Sequence, residues 1–407
     1  MTLLSPAELR LLDHVAAAPM LGQVQDWAAI NSGSRNLDGL AQMADRLADA
    51  FAVLPGDIRL VEAVPVESVA PDGQVQTITH GRHLHLSVRP QAPIRLLLTG
   101  HMDTVFPVDH PFQQQNWLEP GILNGPGVAD MKGGIAVMLA ALTALETSDA
   151  IATLGYDVVV NSDEEVGSPS SAALLRQAAQ GKIAAFTYEP ALPDGTLAGA
   201  RAGSGNFSII VTGRSAHAGR NPDEGRNALL AAADLALRLK AGSGTGFSCN
   251  PAKIDGGGPN NVVPDHAVLR VNFRPKTPQD ELIARALIDT AMAAVAREHD
   301  VSLHLHGGFG RPSKPMDEKA KRLFGLVKQC GADLGLSIGW RDTGGVCDGN
   351  NIAACGVPVV DTMGVRGGSI HSDAEFLLTD SLAERARLSA LTLWRIAQSR
   401  FDPGRDT

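Results

Sequence analysis

Apolar positions along the chain follow two different rhythms. Short unbroken runs, "IRLLLTG" (94–100), "YDVVVNS" (156–162), "IAAFTYE" (183–189) and "GVPVVDTM" (356–363), have the length of buried strands. Longer stretches with helical spacing separate them: "GGIAVMLAALTALE" (133–146), "SSAALLRQAAQ" (170–180) and "SLAERARLSALTLWRIAQ" (381–398). This alternation predicts an α/β unit, a mixed sheet flanked by helices on both faces. The N-terminal "MTLLSPAELRLLDHVAAAPM" predicts one more amphipathic helix, because Asp13 and His14 interrupt its apolar stretch.

From residue 203 the texture changes. "GSGNFSIIVTGRSAHAG" (203–219) predicts a strand, "NALLAAADLALRLK" (227–240) a helix, and "HAVLRVNFRP" (266–275) a strand. "DELIARALIDTAMAAVARE" (280–298) predicts a helix, "VSLHLHGGF" (301–309) a strand, and a further strand is expected near Phe247 to Ile254. Such a series predicts a ferredoxin-like α+β insert at 203–312, splitting a larger unit into 1–202 and 313–407.

At 407 residues the chain is too long for one ordinary core. Hydrophobic residues make up 44% and charged residues 19%, as in a globular protein that buries a large core. A net charge of −9 without a basic run argues against nucleic-acid or anionic-membrane partners. No uninterrupted apolar run reaches the roughly 18 residues that would span a bilayer. Cys249, Cys330, Cys347 and Cys355 are scattered without CxxC spacing, which suits free thiols in a reducing compartment, and the cytoplasm is the expected location. Cys347 and Cys355 read as small buried residues.

Titratable residues fall at the ends of the expected strands. His101 and Asp103 follow the first, Glu164 and Glu165 the second, Glu189 the third, and His371 comes after the fourth. Asp130 lies in the loop that opens the helix at 133. In open α/β sheets the carboxyl ends of the strands border the functional crevice. Carboxylates with two imidazoles and no thiolate suit zinc, manganese or cobalt, and five candidate ligands suggest two ions sharing a bridging carboxylate, about 3.5–4 Å apart. Asp103, two residues from His101, is the natural acceptor for that imidazole's other N–H. Of Glu164 and Glu165, one can hold metal while the other acts as general base. "GPG" before Asp130 lacks the third glycine of a GxGxxG phosphate cradle. His83 and His85, like His304 and His306, read as face residues of strands rather than metal pairs.

The segments "GHMDTVFP", "GPGVADMKGG", "NSDEEVGS", "YEP" and "SIHSDAEF" together resemble the M20 metallopeptidases, a group that includes glutamate carboxypeptidases, acetylornithine deacetylases and succinyl-diaminopimelate desuccinylases. The resemblance implies a zinc-peptidase-like fold with an inserted dimerisation domain, and a homodimeric two-metal amide hydrolase. It implies that Asp130 bridges the ions and that His101 with Glu189 or Glu165 holds one. His371 with the remaining glutamate would hold the other. Glu164 would be the base and Glu165 a ligand. It further implies a cis peptide bond between Asp130 and Met131. In the insert, His217 matches a histidine that reaches the partner subunit's active site. Asn260, Arg274 and Arg311 match positions that hold the substrate's carboxylate, and an arginine's planar fork suits that task. Arg366, close to His371, is a further substrate candidate. The glutamate carboxypeptidases look closest, so the expected substrate is an N-acyl amino acid or short peptide with a free carboxylate. The alternatives are a deacylase of the acetylornithine or desuccinylase kind and a non-catalytic binder of amino-acid conjugates.

Overall fold

The computed structural model describes residues 4–404. The larger unit is built on a six-stranded mixed sheet. Its strands run in the order Asp57–Val61, His83–Val88, Leu154–Asn161, Ile94–His101, Ala184–Thr187 and Val359–Val360. The first two join the sheet antiparallel, and the last four pair with one another in parallel. Alternate side chains enter opposite layers. Leu96 and Leu98 join the main core, whereas Leu97 packs with Val159, Ala185 and Leu175 on the other face. Helix Gly134–Glu146 lies in the first layer with Pro6–Ala16 and Asp380–Ala397 around it, and Ala172–Ala179 and Asp348–Ala353 cover the second.

Nearly every residue of Gly134–Glu146 is buried, so it is apolar all round rather than amphipathic. The stretch Val128–Glu146 has the length and composition of a membrane span, yet 94% of its window is buried inside this molecule. Gly134 opens the helix where a Cβ would meet the Tyr188 carbonyl oxygen at 1.9 Å. That close approach sets the Asp130 loop beside Glu189. The N-terminal helix begins with a capping box between Ser5 and Glu8, and the first three residues of its predicted segment lie outside the described residues.

The inserted unit has its own four-stranded antiparallel sheet, in the order Phe247–Gly256, His266–Pro275, Ser204–Thr212, Ser302–Arg311. Helices Ala228–Ala241 and Pro278–His299 pack on it around a second core that includes Phe207, Leu235, Phe273 and Ile288. The order and the two helices are those of a ferredoxin-like fold. The chain enters and leaves along adjacent segments, Arg201 and Lys314 exchanging backbone hydrogen bonds of 2.9 Å. A hairpin of the larger unit, Val66–Val69 with Val75–Ile78, touches the insert, where Arg270 donates to the Val69 carbonyl at 2.9 Å.

Three expectations need correction. The segment 356–363 pairs as a strand only through Val359–Val360, with Gly356 at φ +81° and Thr362 at φ +60° breaking the extended backbone on either side, although the Met363 N–H still donates to the Thr187 carbonyl at 3.0 Å. His83 is buried rather than facing water, its Nδ1 and Nε2 lying near Ser162 and Ser170, while His85 pairs with Asp157 at 2.8 Å. Cys347 is buried as expected, but Cys355 is exposed.

Candidate active site

The parallel strands deliver their ends to one edge. His101 pairs in register with Asn161, and Thr99 with Thr187, so the segments 162–165 and 188–189 leave the sheet beside His101. There His101 Nε2 lies 3.1 Å from Asp130 Oδ1 and 3.7 Å from Glu189 Oε2. His371 Nε2 lies 3.3 Å from Asp130 Oδ2 and 3.2 Å from Glu165 Oε2. Asp130 thus offers one oxygen to each of two histidine–glutamate sets. Ligand atoms of His101, Asp130 and Glu165 fall within 4.8 Å of one another, as do those of His101, Glu164 and Glu189. The peptide bond between Asp130 and Met131 is cis.

Electrostatics at this edge call for cations. Burial pushes Glu164 up to about 7, against the pull of Arg311, and with Asp130 pushes Glu165 up to about 8. Glu189 is also raised by burial, although His101 opposes it. Hydrogen bonds to Asp130 and Glu165 lift His371 to about 10, while Asp130 itself, despite its burial, is held far below the usual carboxylate range by the two histidines. Four acids sharing two imidazoles cannot all ionise cheaply without added positive charge. Cys347 lines a cavity beside these residues, but burial keeps its thiol far above its ordinary value, so the donor set stays imidazole and carboxylate. These residues fit a pair of hard-to-borderline divalent ions.

Asp103 works differently from expectation. His101 Nδ1 lies 2.9 Å from the backbone carbonyl of Asp103 and 3.5 Å from its carboxylate. The carboxylate instead accepts from the Ser34 hydroxyl at 2.7 Å and from the N–H groups of Glu164 and Glu165 at 3.1 and 3.2 Å. It fixes the turn that carries the glutamate pair.

The expected substrate residues part company. Arg311 is buried, and its Nη2 lies 2.8 Å from Glu164 Oε1 and 3.4 Å from Asp348 Oδ1 while donating to Ser168. Arg366 is turned outward to Asp380 and Glu384, at 3.0 and 3.2 Å. Arg274 is half-buried. It donates to the neutral Asn272 side chain at 2.8 Å, pairs with no carboxylate among the described residues, and is lowered by burial and by Arg311. Asn260 is exposed in the loop after Phe247–Gly256. His217 is exposed on the insert, its Nδ1 accepting from the N–H groups of Gly219 and Arg220.

Beside these histidines and carboxylates lies a cavity of about 290 Å³, lined by Leu192, Arg201, Arg341, Thr343, Thr362 and Ile370 together with the acidic residues. Arg201 was not legible beforehand. Its Nε bonds Asp361 at 2.6 Å, and Lys314 Nζ reaches the same carboxylate at 3.2 Å. Two buried cations share this carboxylate, and Glu189 of the same cavity also acts on Arg201. The segment 343–347 contributes Thr343, Gly345, Val346 and Cys347 to the same lining.

Residues 97–395 match the peptidase family M20/M25/M40. Carboxypeptidase G2 of Pseudomonas sp. (strain RS-16) is 31% identical over 306 residues, covering 72% of each chain. A succinyl-diaminopimelate desuccinylase of Psychrobacter sp. (strain PRwf-1) is 27% identical, over 73% of this chain and 78% of its own. Among solved structures, a Staphylococcus aureus tripeptidase superposes with a TM-score of 0.72 at 22% identity, over 96% of this chain and 99% of its own. An M20 family metallo-carboxypeptidase of Sulfolobus solfataricus does so with a TM-score of 0.70 at 14% identity, over 93% and 99%. At these identities the structural likeness speaks to the fold alone.

Proposed function

Since the chain belongs to peptidase family M20/M25/M40 and is therefore a hydrolase, we propose that it uses two divalent ions, zinc first among them, to cleave the amide bond of N-acyl amino acids or short peptides bearing a free carboxylate. The observation that carries this reading is the sharing of Asp130 between His101–Glu189 and His371–Glu165, with Glu164 alongside. Ions held there would polarise the scissile carbonyl and lower the pKa of attacking water. Glu164 takes the proton of that water and returns it to the departing amine. Arg311 and Asp103 hold the base, one at its carboxylate and the other at its backbone N–H. Arg274, a cation without a carboxylate partner among the described residues, takes the substrate's carboxylate, whereas Asn260 lies toward the opposite end of the insert's sheet, in the loop that pairs with the His217 segment, and would join that histidine.

The insert, taken as residues 203–312, would act as lid and dimer contact. Leu230, Leu237, Leu282 and Ile283 are exposed on its two helices, a surface that suits a second copy. His217, exposed on the same unit, would then serve the partner subunit's site by stabilising the oxyanion. A second reading has its own observation. Arg201 in the cavity lining favours an acyl group that is itself anionic, as a desuccinylase-like deacylase would take.

Metal-stripped protein assayed with a panel of N-acyl amino acids, N-succinyl amino acids and dipeptides tests the proposal. It expects no turnover until zinc, cobalt or manganese is restored, then release of free amino acid. Full turnover by metal-free protein would overturn it.

A further inference from the structure

Glu375 is 1% exposed and takes no part in the chemistry described above. Its carboxylate accepts from three backbone N–H groups of the Asp130 loop: Gly127 at 3.1 Å, Ala129 at 2.9 Å and Asp130 itself at 3.0 Å. Gly127 sits at φ +72°, and a Cβ there would come within 2.8 Å of the Thr104 side chain, so the loop backbone that meets the acid is also packed tightly against Thr104. Successive N–H groups converging in this way make an anion cradle, and in this molecule a side chain of the chain itself fills it. The main chain of Glu375 is tied to the same loop, because Asn124 Nδ2 donates to its carbonyl at 2.7 Å and to that of Asp373 at 3.0 Å.

The tie has a consequence for the metal centre. His101 ends a central strand of the sheet and is fixed by it. His371 instead stands on the short turn that ends at Glu375, closed by the Ser372 hydroxyl donating to the Ser369 carbonyl at 2.6 Å and by the Glu375 N–H donating to the Ser372 carbonyl at 3.1 Å. The His371 side chain is about half exposed. Its position relative to Asp130 therefore depends on what holds the two loops together, and the Glu375 carboxylate does so at the Asp130 N–H itself.

We infer that Glu375 is a positioning residue for the second metal set, holding the His371 turn and the Asp130 loop in the register that lets one ion be shared by His371, Asp130 and Glu165. This rests on the two-metal reading. Glu375→Gln keeps the size but turns an amide N–H₂ toward N–H donors, and Glu375→Asp keeps the charge but loses a methylene of reach.

The test is the dissociation constant of each zinc ion from metal-stripped protein, by competition with a chromophoric chelator, together with kcat and KM. Two ions per parent chain support the underlying reading, and fewer than two overturn that reading rather than the role of Glu375. In Glu375→Gln the weaker-bound ion should lose about 10–100-fold in affinity, the usual scale for residues that orient ligands. The tighter ion should change less than about 3-fold, and kcat should fall with KM nearly constant. Glu375→Asp should fall between parent and Glu375→Gln, and it carries the test alone if the amide variant does not fold. Unchanged affinity for both ions in either folded variant would overturn the inference, as would a rise in KM at constant kcat.

Discussion

At the scale of single residues, the glutamate pair divides its labour by what each side chain touches. Glu165 meets His371 at 3.2 Å, whereas Glu164 meets Arg311 at 2.8 Å. Glu164 also lies within reach of His101 and Glu189, so the proposed division, Glu165 as ligand and Glu164 as base, rests on these unlike partners. Glu164→Gln should therefore lower kcat by at least about 10²-fold with both ions retained, and Glu165→Ala should lose metal. Metal analysis beside steady-state kinetics decides it, and the reverse pattern would exchange the two roles. Residue types and order were enough to nominate the metal set, because His and acids at strand ends have few other uses. Arg311 misled for a physical reason. The "GRP" context restricts its backbone but says nothing of its partner, and a buried Glu164 needs a cation more than the open cleft does. Arg201 was hidden because a lone arginine in "AGARAGS" has no pattern, and only the fold brings Lys314 and Asp361 to it.

Among elements, those whose apolar period was strong were legible, and those held by few residues were not. Ile94–His101 and Gly134–Glu146 announce themselves as an unbroken run and an apolar helix. The edge strand Asp57–Val61, which pairs with His83–Val88, and the local hairpin Val66–Val69 with Val75–Ile78 are half polar and carry no strong apolar period. The terminal helices show how contacts distant in sequence add stability. Arg395 of Asp380–Ala397 bonds Glu8 of Pro6–Ala16 at 2.9 Å and Asp333 at 2.7 Å. Burial raises the Glu8 carboxyl, but the Ser5 N–H and Arg395 outweigh it and hold Glu8 below its ordinary value. A carboxyl depressed in the folded state stabilises above its unfolded pKa, and that contribution is lost as pH falls through the folded value. Glu8→Gln should cost about 1–3 kcal/mol near neutrality, the scale of a charged hydrogen bond, and progressively less below about pH 4. Urea unfolding across that range measures it, and a cost independent of pH would remove the ionic account.

For the whole molecule, the proposed function would join the candidate metal edge of the larger unit to an insert that serves as lid and supplies His217 to a second copy of the chain. The ferredoxin-like order of the insert was legible from its strand–helix series, but the side of the site it serves was not, since that depends on association. The cavity beside the cluster is lined by no residue of 203–312. Co-expressing His217→Ala with Glu164→Ala chains should restore activity in mixed dimers, because one of the two sites then has both groups. No recovery, with mixed dimers verified by mass, would place the histidine's action within its own chain. The central claim, hydrolysis of an amide next to a free carboxylate, is tested most directly by kcat/KM of the zinc-loaded protein on an N-acyl amino acid and on the same compound with its carboxylate converted to an amide. Losing a charge-assisted hydrogen bond costs about 1.5–3 kcal/mol, so the amide should be turned over about ten-fold more slowly or worse. Arg274→Ala should lose as much on the acid and little more on the amide. Equal turnover of acid and amide by the unaltered protein would contradict the account.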